Sequence, residues 1–397
     1  MLRLIRKGRH APTKRGWAVW IGCGAAAIAV CVVASAPGLA RLDAGSAAPT
    51  ELRNLTPACA AKWRVVPTPN VGPGELNSVA ARSPGDAWAV GFIGQADYRV
   101  AHHHPLIEHW DGSKWKVVPS PRIAKGVLFA VASVSRDDAW AVGQIGLISA
   151  SKPTKPLIEH WDGHRWTRMR IQGEATLRDV SALTAHDAWA VGGYTSSLAL
   201  HWDGIRWRQV PIPSNANLFG VRAITSRNVW AVGAWGYGSL LALHWNGRRW
   251  RRFVGPILED YSRLLTVAAV SARDVWAGGE ASTGNTVRDP IVYHWNGRRW
   301  QIKKSPFVKG GLRGIAARSA HDLWAVAWDD PRIVGDGSTI AHWNGKTWRH
   351  GKSVPARYLG AIASDGGTHV WTVGSSGNPS TDYVPPRPRP LIERYGC

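Results

Sequence analysis

The chain has 397 residues, 45% of them hydrophobic and 19% charged, with 24 tryptophans and a formal net charge of +22. That balance excludes an intrinsically disordered chain and describes a globular one with an unusual excess of tryptophan. The positive charge favours anionic partners in general.

At the N-terminus, Arg3, Arg6, Lys7, Arg9, Lys14 and Arg15 stand without a single acid, so the rest of the chain is basic in its own right. An uncharged stretch from Gly16 to Ala40 follows. Residues 1–16 are expected to stay in the cytoplasm, and 17–36 to form a hydrophobic helix serving as a signal peptide or transmembrane anchor. Ala34-Ser35-Ala36 offers a small-residue cleavage site, but Pro37 follows it directly. Cleavage and retention therefore both stay open. Export is expected in either case, placing the remainder in the cell envelope or outside the cell, tethered to a membrane if 17–36 is kept. That compartment argues against nucleic acid as the anionic partner.

Residues 37–58 are rich in Ala, Pro, Ser and Thr without apolar periodicity, and are expected to be a flexible linker. From Cys59 onward one unit repeats. Its first tryptophan recurs as Trp88, Trp140, Trp189, Trp230, Trp276, Trp324 and Trp371, at spacings of 41 to 52 residues. A second recurs as Trp110, Trp161, Trp202, Trp245, Trp295 and Trp343, with Tyr395 in the seventh place. A third follows five residues later, from Trp115 to Trp348, and Trp63 precedes the first full unit. A period in the forties points to a solenoid or propeller.

Each unit holds four short apolar runs rich in β-branched and aromatic residues. In the second unit they are Leu128–Ser133, Ala139–Val142, Pro156–Trp161 and Arg165–Met169. Gly, Pro, Asp and Ser bound them, which is a strand signature, and no helical period is sustained. Ser/Thr-x-x-Asp, as Ser135 to Asp138, separates the first two runs and offers side-chain oxygens to the turn backbone. Asp-Gly or Asn-Gly, as Asp111-Gly112 and Asn246-Gly247, separates the last two and signals a hairpin. Four antiparallel strands repeated seven times predict an all-β, seven-bladed β-propeller over residues 59–397.

The ends support closure of that ring. Leu391 to Cys397 matches a third strand with no fourth, and Cys59 to Pro67 matches a fourth strand with no third. The N-terminal strand is expected to complete the last blade, with Cys59 and Cys397 paired as a disulfide across the hairpin, as suits an exported chain.

The connection between the second and third strands is the elastic part of the repeat, with Trp-to-Trp spacings from 13 to 24 residues. Those loops share one end of the blades with the inter-blade connections, and variable loops on a rigid scaffold are where binding usually resides. Trp235 and Trp328, the tryptophans of this part outside the three series, open two such loops, with Tyr237, Asp329 and Asp330 beside them. Their flat rings suit stacking on a sugar, which makes these five the candidate ligand-binding residues.

His109, His160, His201, His244, His294 and His342 precede the third-strand aromatic, with Arg394 in the seventh place. Equivalent positions around a ring do not converge, so a structural hydrogen bond is expected, to the Asp of the Ser/Thr-x-x-Asp turn, and not a metal site. Lys114, Lys116, Arg248, Arg249, Arg251, Arg252, Arg298, Arg299, Lys303 and Lys304 concentrate around the outermost strands, where charge protects an exposed edge from pairing; an added, salt-sensitive role in attracting anionic surface polymers stays open. No nucleophile elbow, phosphate loop or zinc-ligand spacing is present. Neither catalytic residues nor a cofactor or metal are expected, and the reading leans away from an enzyme.

Ala190-Val191-Gly192-Gly193 with the aromatics that follow resembles a kelch repeat. The hairpin from Trp110 to Trp115 resembles a shortened Asp-box of sialidase-type propellers and the Trp-Asp-Gly-x-x-Trp hairpins of fucose-binding propeller lectins. It lacks the leading Ser of the Asp-box and one residue before its Gly. The resemblance implies architecture and carries over no catalytic residue. The expectation is a monomeric, exported binding module for a carbohydrate or anionic envelope polymer, with a surface-protein scaffold as the alternative and a glycoside hydrolase or lyase behind both.

Overall fold

The computed structural model describes residues 61–94, 103–146, 153–193, 197–213, 216–236, 239–253, 261–282, 289–328, 338–351, 357–376 and 388–396. The chain divides into two compact units, 1–55 and 56–397, and every described residue belongs to the second. The basic segment 1–16, the helix expected over 17–36, the linker 37–58, and Cys59 and Cys397 lie outside the described residues. Among the described residues no helix is long and apolar enough to cross a membrane.

The strands form seven four-stranded antiparallel sheets. Blade 1 runs Gly74–Ser83, Asp86–Ile93, His104–Trp110 and Trp115–Val117, and blade 2 runs Gly126–Ser135, Asp138–Ile145, Lys155–Trp161 and Trp166–Met169. Blades 3 to 6 repeat the order, with innermost strands Thr176–Thr184, Ala216–Thr225, Tyr261–Ser271 and Gly311–Ser319. Blade 7 takes Arg357–Ser364, Val370–Ser376 and Arg389–Gly396, and borrows Lys62–Val66 from the start of the domain as its outer strand. The fold is the expected seven-bladed propeller, and its ring closes by pairing Trp63 with Tyr395.

Local chemistry sets the turns. Asp111 Oδ1 accepts the amides of Ser113 and Lys114 at 2.9 and 3.0 Å, and Gly112 next to it sits at φ 97°, a conformation that favours glycine. Ser135 Oγ accepts the Asp137 amide at 3.2 Å in the turn between the first two strands.

Tryptophans lock each blade to the next. Trp88 of blade 1 is 1% exposed and packs on Trp161 and, edge-on at 89°, on Trp166 of blade 2, each at 5.1 Å between ring centroids. The same trio recurs as Trp140 with Trp202 and Trp207, and as Trp371 with Trp110 and Trp115. At the closure it is Trp324 with Tyr395 and Trp63. Such pairs contribute about 0.5–1.5 kcal/mol each beyond their area burial. Repetition across every interface is what the tryptophan excess serves.

Candidate functional site

Each innermost strand carries one extra residue near its start. In blade 2, Leu128 pairs with Gly143 and Ala130 with Val142, which leaves Phe129 unpaired as a β-bulge. The shift recurs in all seven blades at Asn77, Phe129, Arg178, Phe219, Leu265, Arg313 and Gly360. It also explains the glycine that ends Ala-Val-Gly. A Cβ on Gly143 would lie 1.9 Å from the Val127 carbonyl oxygen, and Gly91, Gly192, Gly233, Gly279 and Gly374 are equally crowded. Blade 6 places Ala327 there.

The seven bulge residues line a central channel of about 790 Å³. They sit at the end of the blades where the second-to-third loops emerge, because the start of the first strand pairs with the end of the second. Bulges next to sites typically re-aim a side chain, and here they turn a different residue of each blade toward one mouth. Leu76, Leu128, Leu177 and Leu218 just before them are constant and buried, whereas the bulge residue that faces the channel differs from blade to blade. Variation in the residue after a constant leucine is the signal in the sequence that marks this ring, a signal separate from the tryptophan spacing.

Arg82, Arg178, Arg222 and Arg313 line the channel, with Asp179 and Asp365 as its carboxylates. Asp179 is engaged, accepting the Val180 and Val221 amides at 2.8 and 2.7 Å and so tying blade 3 to blade 4. Burial pushes its carboxyl up to about 7 against those hydrogen bonds. The channel also holds aromatic rings: Arg178 lies 4.8 Å over Phe129, while Arg263 faces both Phe219 and Tyr261. Arg263 in turn donates to the buried Glu280 at 2.6 Å. Glu75 lies at the blade 7 boundary, raised to about 7 by burial despite Ser375 and the charge of Arg313. The mouth therefore combines guanidinium groups with aromatic faces.

Trp235 and Trp328 close the second strands of blades 4 and 6, where sequence spacing had placed them at the start of loops. Ladder pairing continues past the glycine in both: Trp235 pairs with Ala216 and Ser239, and Trp328 with Gly311 and Ser338. Trp235 is partly buried against the core of blades 3 and 4, with Arg252 stacked 4.5 Å over its ring. Arg313 stands 5.9 Å from Trp328, which links that tryptophan to the channel mouth. Tyr237, Asp329 and Asp330 lie outside the described residues.

The repeated histidines are taken up by the frame. His109 Nε2 meets Asp86 Oδ1 at 2.8 Å, and His160, His201, His294 and His342 meet Asp138, Asp187, Asp274 and Asp322 at 2.8–3.0 Å. His244 meets Asn228 in the same way at 2.9 Å. Each imidazole also lies against the first tryptophan of its blade, as His160 on Trp140 at 4.1 Å. In blade 7, Arg394 takes the place, over Trp371.

No protein-family model matches the chain, and no curated protein does either. Among solved structures it is similar to YCF48 bound to D1 peptide, at 15% identity and TM-score 0.57, over 84% of this chain and 97% of that one. It is similar to the WD40 β-propeller domain of Doa1, at 11% identity and TM-score 0.57, over 84% and 97%. A xyloglucanase from Xanthomonas campestris is similar at 14% identity and TM-score 0.55, over 84% of this chain and 55% of that one. At these identities the likeness is one of fold, and the chain is a seven-bladed β-propeller of the kind these proteins share.

Proposed function

We propose that the chain is an exported binding module that takes a carbohydrate or an anionic envelope polymer at the channel mouth, on the face of the variable loops. The observation that carries this reading is the bulge ring, which brings Arg178 and Arg313 together with Phe129 and Phe219 around one opening. Guanidinium forks pair with carboxylate or phosphate, and aromatic faces stack on sugar rings, so the set suits an acidic saccharide. Trp328 extends the surface outward from Arg313, and Trp235, Tyr237, Asp329 and Asp330 remain its proposed rim. Export rests on the N-terminal sequence alone.

A protein or peptide ligand is the second reading, favoured by the likeness to a propeller bound to a peptide. The test is binding of the full chain, in detergent, to an array of envelope polymers and glycans at low and high salt. An Arg178→Ala, Arg313→Ala variant and a Trp235→Ala, Trp328→Ala variant are run alongside. Binding to an acidic glycan that falls at least tenfold in the arginine variant, with a loss of about 1.4 kcal/mol or more, is the expected result. No retained glycan or polymer from the parent chain sinks the carbohydrate reading and leaves the peptide.

A further inference from the structure

The hairpin between third and fourth strands has one geometry in six blades and two charge states. Its first residue is Asp111, Asp162 and Asp203 in blades 1–3, but Asn246, Asn296 and Asn344 in blades 4–6. In all six, the side-chain Oδ1 accepts two backbone amides at 2.8–3.0 Å. The turn needs an oxygen there and not a charge.

On blades 1–3 the carboxylate also neutralises a neighbouring cation. Lys116 Nζ lies 2.7 Å from Asp111, Arg208 binds Asp203, and Arg165 stands 3.9 Å from Asp162. Lys116 and the turn amides hold the Asp111 carboxyl well below the usual range. Asparagine removes that compensation where arginine is densest. Arg248 and Arg249 follow Asn246, and Arg298 and Arg299 follow Asn296. Arg227 and Arg273, in the turns between first and second strands, lie against Gly247 and Gly297 of the same hairpins. In blades 1 and 2 the corresponding positions are Gly85 and Asp137. All six arginines are exposed, and none forms an ion pair among the described residues.

Protection of the outer edge does not account for this cluster, because Arg227 and Arg273 are not on an edge strand and the other four include turn positions. We propose that the hairpin ends of blades 4 and 5 form a second binding surface, for a linear polyanion bearing phosphate or carboxylate groups. Six arginines without a lysine suit forked, two-point recognition of such groups. The surface lies at the end of the blades opposite the channel mouth, so it is a site separate from the one proposed above.

The test titrates the full chain in neutral detergent micelles with sodium polyphosphate over a range of salt. The key variant is Asn246→Asp with Asn296→Asp, which installs the residue that blades 1–3 already carry in the same turn. Polyphosphate affinity should fall about tenfold at low salt, and the slope of log K against log salt should shrink by about 2. Lys116→Ala with Arg208→Ala, on blades 1 and 3, should leave both unchanged. An unchanged affinity in the aspartate variant overturns the proposal, and so does an equal loss in the Lys116, Arg208 variant. A difference between parent and aspartate variant that appears only on micelles doped with phosphatidylglycerol, and not with polyphosphate, overturns the polymer in favour of a lipid surface.

Discussion

At the turn end of the blades one contact is made six times over: a histidine on an Asp or Asn at 2.8–3.0 Å, with a tryptophan ring 4.1–4.6 Å from the imidazole. At the mouth end the seven equivalent bulge positions hold five residue types, from Gly360 to Arg178 and Phe129. The same scaffold thus fixes residue identity where side chains are buried against each other and releases it where they face an open channel. A packed, hydrogen-bonded position is costly to change, whereas a channel-facing one is free to be tuned to a ligand.

That contrast breaks down if changes to the frame alter binding as readily as stability. The largest effect is expected from the ring closure. Register at the last blade sets Lys62 opposite Gly396, and the proposed Cys59–Cys397 bridge lies beyond that pair, outside the described residues. Cys59→Ser should then lower the unfolding free energy by about 4–5 kcal/mol in the chain-entropy model, measured by denaturant melts with and without reductant. A parent chain insensitive to reductant would sink the bridge.

Next comes the interior of the frame. Trp140 is fully buried between blades 2 and 3, and Trp140→Ala should cost roughly 3–5 kcal/mol while leaving ligand affinity of the folded fraction unchanged. Lost affinity in protein that is still folded would mean that frame and mouth are coupled.

The smallest effect probes an exception within the frame. Glu108 is 0% exposed, neither carboxyl oxygen has a hydrogen-bond partner among the described residues, and burial raises it from 4.5 to about 8. Its counterpart Glu159 receives the Ser120 hydroxyl at 3.0 Å and rises to about 7, while blades 3 and 4 place Leu200 and Leu243 there. The unfolded chain ionises first, so between about pH 4.5 and 8 the folded state keeps a proton that the unfolded state has lost, and stability falls as pH rises. Glu108→Leu should flatten that slope and raise stability at pH 8 by about 2 kcal/mol, with little change at pH 4. Melts at both pH values check it, and equal shifts at the two would point to packing and not ionisation.

Architecture was legible because each blade buries the same kinds of residue: the five-residue step from Trp110 to Trp115 recurs in six blades, and the split of a fourth strand from a third showed how the ring closes. The histidine partners were legible for the same reason, since His160 and Asp138 recur at matched places in the period. The mouth was not. Trp235 and Trp328 stood out as exceptions to the repeat, yet the ladder pairing that holds them on strands depends on register against neighbouring strands.

Strand number, blade number and closure follow from the amino-acid order alone, because periodic burial must be written in periodic residues. Which side chains meet depends on the folded ring. A one-residue bulge per blade, invisible in spacing counts, turns Arg178 and Arg313 into one channel, and hairpin geometry sets Arg227 against Gly247 to gather charge at the other end. Residues so far apart in the chain share no local signal, and only the closed ring brings them together.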